Sequence, residues 1–126
     1  MESPTEKKKI LLVDDDELIL SHAKLILENE YEIITAKSGK DALKLLIDGL
    51  LPNLILLDIL MPNMDGWETF NRLKTIGALQ KVPIAFATSL SDEKDEKQAY
   101  EIGAADFIKK PYVKEELLER VKAIIK

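Results

Sequence analysis

The chain has 126 residues, 46% of them hydrophobic and 33% charged, with 18 basic against 23 acidic side chains and a formal charge of −5. That length fits one domain, and the balance is globular, neither disordered nor membrane-embedded. The absence of cysteine excludes disulfides, thiolate metal sites and cysteine nucleophiles, and the acidic balance argues against a basic groove for nucleic acid.

In chain order, residues 1–8 are polar and form an expected flexible tail, ahead of a single domain over 9–126. The run "ILLV", Ile10 to Val13, is too short for a signal-peptide core and is followed at once by acids. It is the first predicted strand. Helical spacing follows, with Ile19, Ala23, Ile26 and Leu27 on one face and His22, the only histidine, half-buried at its edge. Ile33 to Ala36 is the second strand. Ser38 caps the second helix, whose core face is Ala42, Leu43, Leu46 and Ile47. Leu54 to Leu57 is the third strand. Asp65 caps a third helix with Phe70, Leu73 and Ile76 inward and Trp67 as packing, ending at Gly77.

Ile84 to Ala87, just after Pro83, is the fourth strand. The segment 91–101, capped by Ser91, is mostly charged and is anchored by Ala99, Tyr100 and Ile102 alone, with Gly103 at its end. Phe107 and Ile108 make a weak fifth strand. The fifth helix buries Leu117, Val121 and Ile124 or Ile125, and Val113 stands where a capping side chain is wanted, so its start is frayed or capped by backbone only. The first and third strands are continuously apolar, as strands covered on both faces are. Five alternations with short right-handed crossovers predict an α/β fold, a doubly wound (βα)5 open parallel sheet. No apolar run approaches the roughly 20 residues of a membrane-spanning helix, so the expected location is the cytoplasm.

Open α/β sheets bind ligands beyond the carboxyl ends of their strands, where strand order reverses. Those positions hold Asp14, Asp15 and Asp16, then Asp58, then Thr88 and Ser89, then Lys109 and Lys110 ahead of Pro111. Carboxylates brought together repel one another unless a cation neutralises them, and Mg²⁺ takes oxygen ligands. A phosphoryl group adds oxygens that the cation, a lysine and a hydroxyl can hold, and a carboxylate can itself attack phosphorus to give an acyl phosphate. Asp58 is the nucleophile candidate because it ends a fully buried strand. Asp16 reads as a helix cap and Lys109 as a solvent-facing lysine.

The segments "ILLVDDDE", "LILLDILMPNMDG", "IAFATS" and "ADFIKKPY", in that order and spacing, resemble the receiver domain of the two-component response regulators over nearly the whole chain. The resemblance implies a flavodoxin-like sheet of order 2-1-3-4-5. It makes Asp58 the phosphoacceptor and gives Mg²⁺ to Asp14, Asp15, Asp58 and the backbone carbonyl of Leu60. Thr88 and Lys110 become the groups that answer the phosphoryl group, Phe107 the switch aromatic, and Lys110–Pro111 a cis peptide bond. The choice of Lys110 over Lys109 rests on the family's lysine-before-proline order. Two variable positions, Leu60 and Leu90, would tune the phosphoryl lifetime, and leucine at both implies slow hydrolysis.

The expected partners are a sensor histidine kinase or phosphotransfer protein and a downstream protein met through the fourth helix, fifth strand and fifth helix. No nucleic acid or membrane contact is expected, and the protein is read as a monomer or a phosphorylation-dependent dimer. Because the chain ends with its fifth helix, it reads as a single-domain regulator, with a receiver excised from a larger regulator as the alternative. An aspartyl-phosphate phosphohydrolase needs an acid/base aspartate two residues after the nucleophile, where this chain has Leu60, so no enzyme activity beyond self-directed phosphoryl transfer and loss is expected. A flavin or nucleotide domain fails because no glycine-rich turn follows the first strand and three aspartates would repel a phosphate there.

Overall fold

The computed structural model describes residues 7–89 and 93–125. Strands β1 (Lys8–Val13), β2 (Tyr31–Ala36), β3 (Leu54–Leu57), β4 (Ile84–Thr88) and β5 (Asp106–Lys109) alternate with helices α1 (Glu17–Leu27), α2 (Gly39–Ile47), α3 (Gly66–Leu73), α4 (Glu93–Glu101) and α5 (Lys114–Ile124). All strand pairs are parallel, in the order β2-β1-β3-β4-β5. The doubly wound sheet is therefore present, in the order that the family resemblance implies.

Side chains alternate between the two faces of each strand, and the continuously apolar runs feed two cores. Leu11, Val13, Ile55, Leu57, Ile84 and Phe86 face one cluster with Ala42, Leu46, Phe70, Leu73 and Ala99. Ile10, Leu12, Leu54, Leu56 and Ala85 face the other, with Leu20, Ala23, Leu27, Leu117 and Val121 of α1 and α5. Each fully buried leucine or isoleucine contributes roughly 1.5–3 kcal/mol, so the apolar runs of β1 and β3 hold these strands firmly in the sheet. Their register sets Val13 beside Leu57, and that of β4 and β5 sets Thr88 beside Lys109. Four carboxyl ends are thereby level at one edge.

Asp16, Ser38 and Asp65 cap α1, α2 and α3 through their side chains, while α5 starts at Val113 with no side-chain cap. Ser91 lies outside the described residues. Several expectations need correction. Ile47 is 70% exposed, because α2 buries only Ala42, Leu46 and Gly39 and ends at Ile47, whose side chain has turned past the core. In α1 Ala23, Ile26 and Leu27 are buried as predicted, but Leu20 takes the place expected of Ile19, which is half-buried, and His22 is exposed. Tyr100 and Ile102 are exposed, so Ala99 is the only buried side chain among the described residues of α4. Gly77 does not end α3. That helix stops at Leu73, and Gly77 opens a 3₁₀ turn, Gly77–Leu79, that carries Leu79 into the core. Gly103 does adopt the left-handed conformation (φ 103°) just beyond α4. β1 begins at Lys8, a residue expected above to lie in the tail, which pairs with Tyr31.

Candidate functional site

The ladder between β1 and β3 runs one residue past the strands. The Asp58 N–H donates to the Val13 carbonyl (2.9 Å), and the Asp14 N–H donates to the Ala36 carbonyl (3.1 Å). Both acids are therefore fixed by the sheet at the point where strand order reverses, and both are buried. Asp14 Oδ1 accepts the Asp16 N–H (3.0 Å), and Asp16 turns away to accept from Leu18 at the start of α1. That turn leaves Asp15 exposed above the pair. One carboxylate oxygen from each of Asp14, Asp15 and Asp58 lies within 4.8 Å of the others.

Lys110 enters the same cleft. Its N–H donates to the Thr88 carbonyl (2.8 Å), which ties its base to the end of β4, and the Lys110–Pro111 peptide bond is cis. The ammonium lies 2.6 Å from Asp14 Oδ2 and 3.2 Å from Asp58 Oδ1, with all three side chains more than nine-tenths buried. Lys109 is exposed.

The floor of the cleft needs a glycine. The Gly66 N–H donates to the Ile59 carbonyl (2.8 Å), and a Cβ at this position would overlap the Asp58 carbonyl oxygen and stand 2.6 Å from Ile59 Cα. Leu60 lies at the rim, 53% exposed, and its backbone N–H donates to the Asp58 carboxylate. Thr88 is fully buried at the end of β4. Phe107 is buried in β5 beside Phe86, in the core cluster that also holds Ala99 and Ala104. Leu90 lies outside the described residues.

Burial and the neighbouring Asp14 charge push the Asp58 carboxyl up to about 6, against the opposing pull of Lys110 and the Leu60 N–H. Burial pushes the Lys110 ammonium down, and Asp14 and Asp58 together bring it back above its ordinary value. Three carboxylates against one ammonium leave a local excess of two negative charges. All the donors are hard oxygens, and one carboxylate is open to solvent. That set fits a divalent oxygen-seeking cation that keeps part of its water shell, as Mg²⁺ does. The groups present can hold such a cation, present Asp58 as a nucleophile and offer an ammonium to an incoming anion.

Sequence reasoning missed two contributors. Gly66 has a signal in the "DG" that spans the cap and first residue of α3, because a residue packed on backbone has no room for a side chain. Tyr112, nearly buried next to Pro111, has its phenol held well above the ordinary value by burial and by the Asp14 and Asp58 charges. Its periodicity gave no hint of a place near the carboxylates.

Comparison with known proteins agrees with this geometry. The family model described as the response regulator receiver domain matches residues 10–122. The transcriptional regulatory protein CpxR of Escherichia coli strain K12 is 39% identical over 119 residues, covering 94% of this chain and 49% of that protein. Protein PilG of Pseudomonas aeruginosa is 33% identical over 124 residues, covering 98% and 91%. CpxR is one of several curated relatives of which this chain spans only about half the length. Among solved structures, a putative response regulator from Chloroflexus aurantiacus superposes with a TM-score of 0.88 at 31% identity, covering 95% of this chain and 98% of that one. The chemotaxis protein CheY4 of Vibrio cholerae gives 0.88 at 26%, covering 94% and 99%.

Proposed function

The chain belongs to the response regulator receiver family, and on that premise we propose that Asp58 accepts a phosphoryl group from a histidine kinase or a phosphotransfer protein. The observation that carries this reading is the position of Asp58. It is a buried carboxylate at the end of β3, 3.2 Å from the Lys110 ammonium and beside Asp14 and Asp15. An acidity near 6 leaves the carboxylate mostly ionised at neutral pH, as a nucleophile must be. Asp58 attacks phosphorus, an acyl phosphate forms, and the phosphorus–nitrogen bond of the donor breaks with its electron pair left on imidazole. Asp14, Asp15, Asp58 and the Leu60 carbonyl are the groups that would hold Mg²⁺, whose chemistry is to neutralise the phosphoryl oxygens.

Lys110 then pairs with a phosphoryl oxygen, and Thr88, at the end of β4, supplies a hydroxyl. Phe107 couples that movement to the face made by α4, β5 and α5, where a downstream protein docks. A relative of nearly this chain's own length, PilG, supports an independent switch module, monomeric or dimerising on phosphorylation. The alternative, a receiver working inside a larger regulator, is favoured by the relatives of twice this length. In either case the receiver touches protein, not nucleic acid. With Leu60 where a phosphohydrolase needs an aspartate, the chemistry stays self-directed, and Leu60 and Leu90 slow the loss of phosphate. No helix among the described residues is long and apolar enough to cross a membrane, which supports a cytoplasmic location for the domain over 9–126. The test is labelling by acetyl phosphate with Mg²⁺, read by mass spectrometry. One phosphoryl group is expected on Asp58 and none on Asp58→Asn; labelling of that variant at the parent rate overturns the assignment.

A further inference from the structure

β5 is the last strand of the sheet, so among the described residues one of its edges has no neighbouring strand. An unpaired edge is a row of donors and acceptors that folded proteins blunt in some way. Here one carboxylate oxygen does it. Oδ1 of Asp106, the first residue of β5, accepts the Phe107 N–H (2.8 Å), the Tyr100 hydroxyl of α4 (3.0 Å) and Nη1 of Arg120 on α5 (2.7 Å). Arg120 is held in turn by Glu116, Nε to Oε1 at 3.1 Å. Three elements meet at a single atom.

α4 depends on such a tie. Among its described residues only Ala99 is buried, which removes little more than a methyl group from water. α1, by contrast, buries a leucine pair and an isoleucine. Partial burial and the Asp106 carboxylate hold the Tyr100 phenol above its ordinary value, and a phenol is already a donor at neutral pH without that shift. The hub also adjoins Phe107, whose ring is packed in the same core as Ala99.

We propose that Asp106 is the hub of a latch that ties α4 and α5 to the free edge of the sheet, and that this latch sets how readily the α4–β5–α5 face rearranges when Asp58 is phosphorylated. The second half rests on the phosphoacceptor reading above; the first half does not. Losing the Tyr100 donor loosens α4, and losing the Arg120 donor loosens α5, without touching the acidic cleft, because neither residue is paired with Asp14 or Asp58.

Amide hydrogen exchange of the unphosphorylated chain tests the latch, with parent, Tyr100→Phe and Arg120→Gln compared. Exchange should quicken about fivefold over α4 in Tyr100→Phe and at least as much over α5 in Arg120→Gln, the factor that one hydrogen bond of ordinary net worth supplies, while α1 and α2 stay at parent rates. Glu116→Gln, which leaves all three donors on Asp106, should leave α4 unchanged. A beryllofluoride titration should then saturate Tyr100→Phe at a severalfold lower concentration than the parent. Unchanged exchange over α4 in Tyr100→Phe and over α5 in Arg120→Gln overturns the latch, and so does exchange that quickens uniformly over the whole sheet, which is plain loss of stability. Looser α4 with unaltered beryllofluoride saturation overturns its regulatory half. A parent that binds no beryllofluoride faults the phosphoacceptor reading, and the exchange comparison still decides the latch.

Discussion

Lys110 Nζ is closer to Asp14 Oδ2, at 2.6 Å, than to Asp58 Oδ1, at 3.2 Å. The lysine is thus paired most tightly with a carboxylate assigned to the cation rather than with the assigned phosphoacceptor. In the unloaded site it acts as an internal cation, and whatever binds there must share Asp14 with it.

Replacing Lys110 separates these effects. Lys110→Met leaves two buried carboxylates without their partner, and breaking a buried pair in this way costs about 3–5 kcal/mol. The loss should show as a lower melting temperature in chelator and should be largely recovered by Mg²⁺, which binds more tightly once its competitor is gone. Asp15→Ala should do the reverse, melting much as the parent does in chelator and gaining little from Mg²⁺. Titration calorimetry showing equal Mg²⁺ affinity for parent and Lys110→Met would sink the competition argument.

The acidity of Asp58 gives a pH dependence of definite sign. Its carboxyl is raised from 3.8 to about 6 on folding, so between those values the folded state holds more proton than the unfolded one. The stabilisation from this group is fully present below the unfolded value and disappears as pH rises through about 6. At about 1.4 kcal/mol per unit, the change amounts to about 3 kcal/mol. Metal-free protein should therefore lose stability to urea across that window, and Asp58→Asn should flatten the curve and be the more stable of the two at neutral pH. Parallel curves for the two proteins would remove Asp58 as the source.

Two glycines with opposite surroundings give a packing test. Gly66→Ala forces a methyl group onto the Asp58 main chain, and overpacking of this kind costs about 1–3 kcal/mol. Because the displaced atoms belong to the acceptor, labelling by acetyl phosphate should fall as well. A Cβ at Gly77 meets nothing within 4 Å, and Gly77→Ala should be neutral or stabilise by about 0.4–1 kcal/mol. Similar melting and labelling for both variants would show that the close approach at Gly66 is relieved at no cost.

The lifetime of the phosphoryl group should depend on the rim. In-line hydrolysis needs a water held opposite the leaving carboxylate, and the exposed Leu60 side chain can shield but cannot orient one. A water-positioning contact worth about 1.4 kcal/mol changes the rate roughly tenfold. The double variant Leu60→Asn with Leu90→Glu should lose phosphate about that much faster with little change in Mg²⁺ affinity, as followed by phosphoprotein gel or fluorescence decay. Decay at the parent rate would place the limiting step elsewhere.

What could be read from the sequence follows from which signals are local. The unbroken apolar runs of β1 and β3 announced the middle of the sheet, and Ser38 and Asp65 announced two helix starts, because each signal sits within a few residues of its effect. The acids after β1 and β3 were visible for the same reason, once strand ends were known. The preference of Lys110 for Asp14 was not, since it depends on the relative reach of two partners across the cleft. Nor was the outward turn of Ile47, because a two-residue-wide apolar stripe does not say how broad a face the sheet will cover. The Asp106 hub was hidden for a related reason: its three donors come from α4, β5 and α5, and no spacing along the chain connects them.

Asp14 and Lys110 are 96 positions apart, so this acid meets its counter-charge only once β1 and the segment after β5 are both in place. A chain emerging from the ribosome carries Asp14, Asp15 and Asp58 without the Lys110 ammonium until the segment after β5 has followed them. On the phosphoacceptor reading, a fragment that stops short of Lys110 holds the three carboxylates but not the cation that balances them.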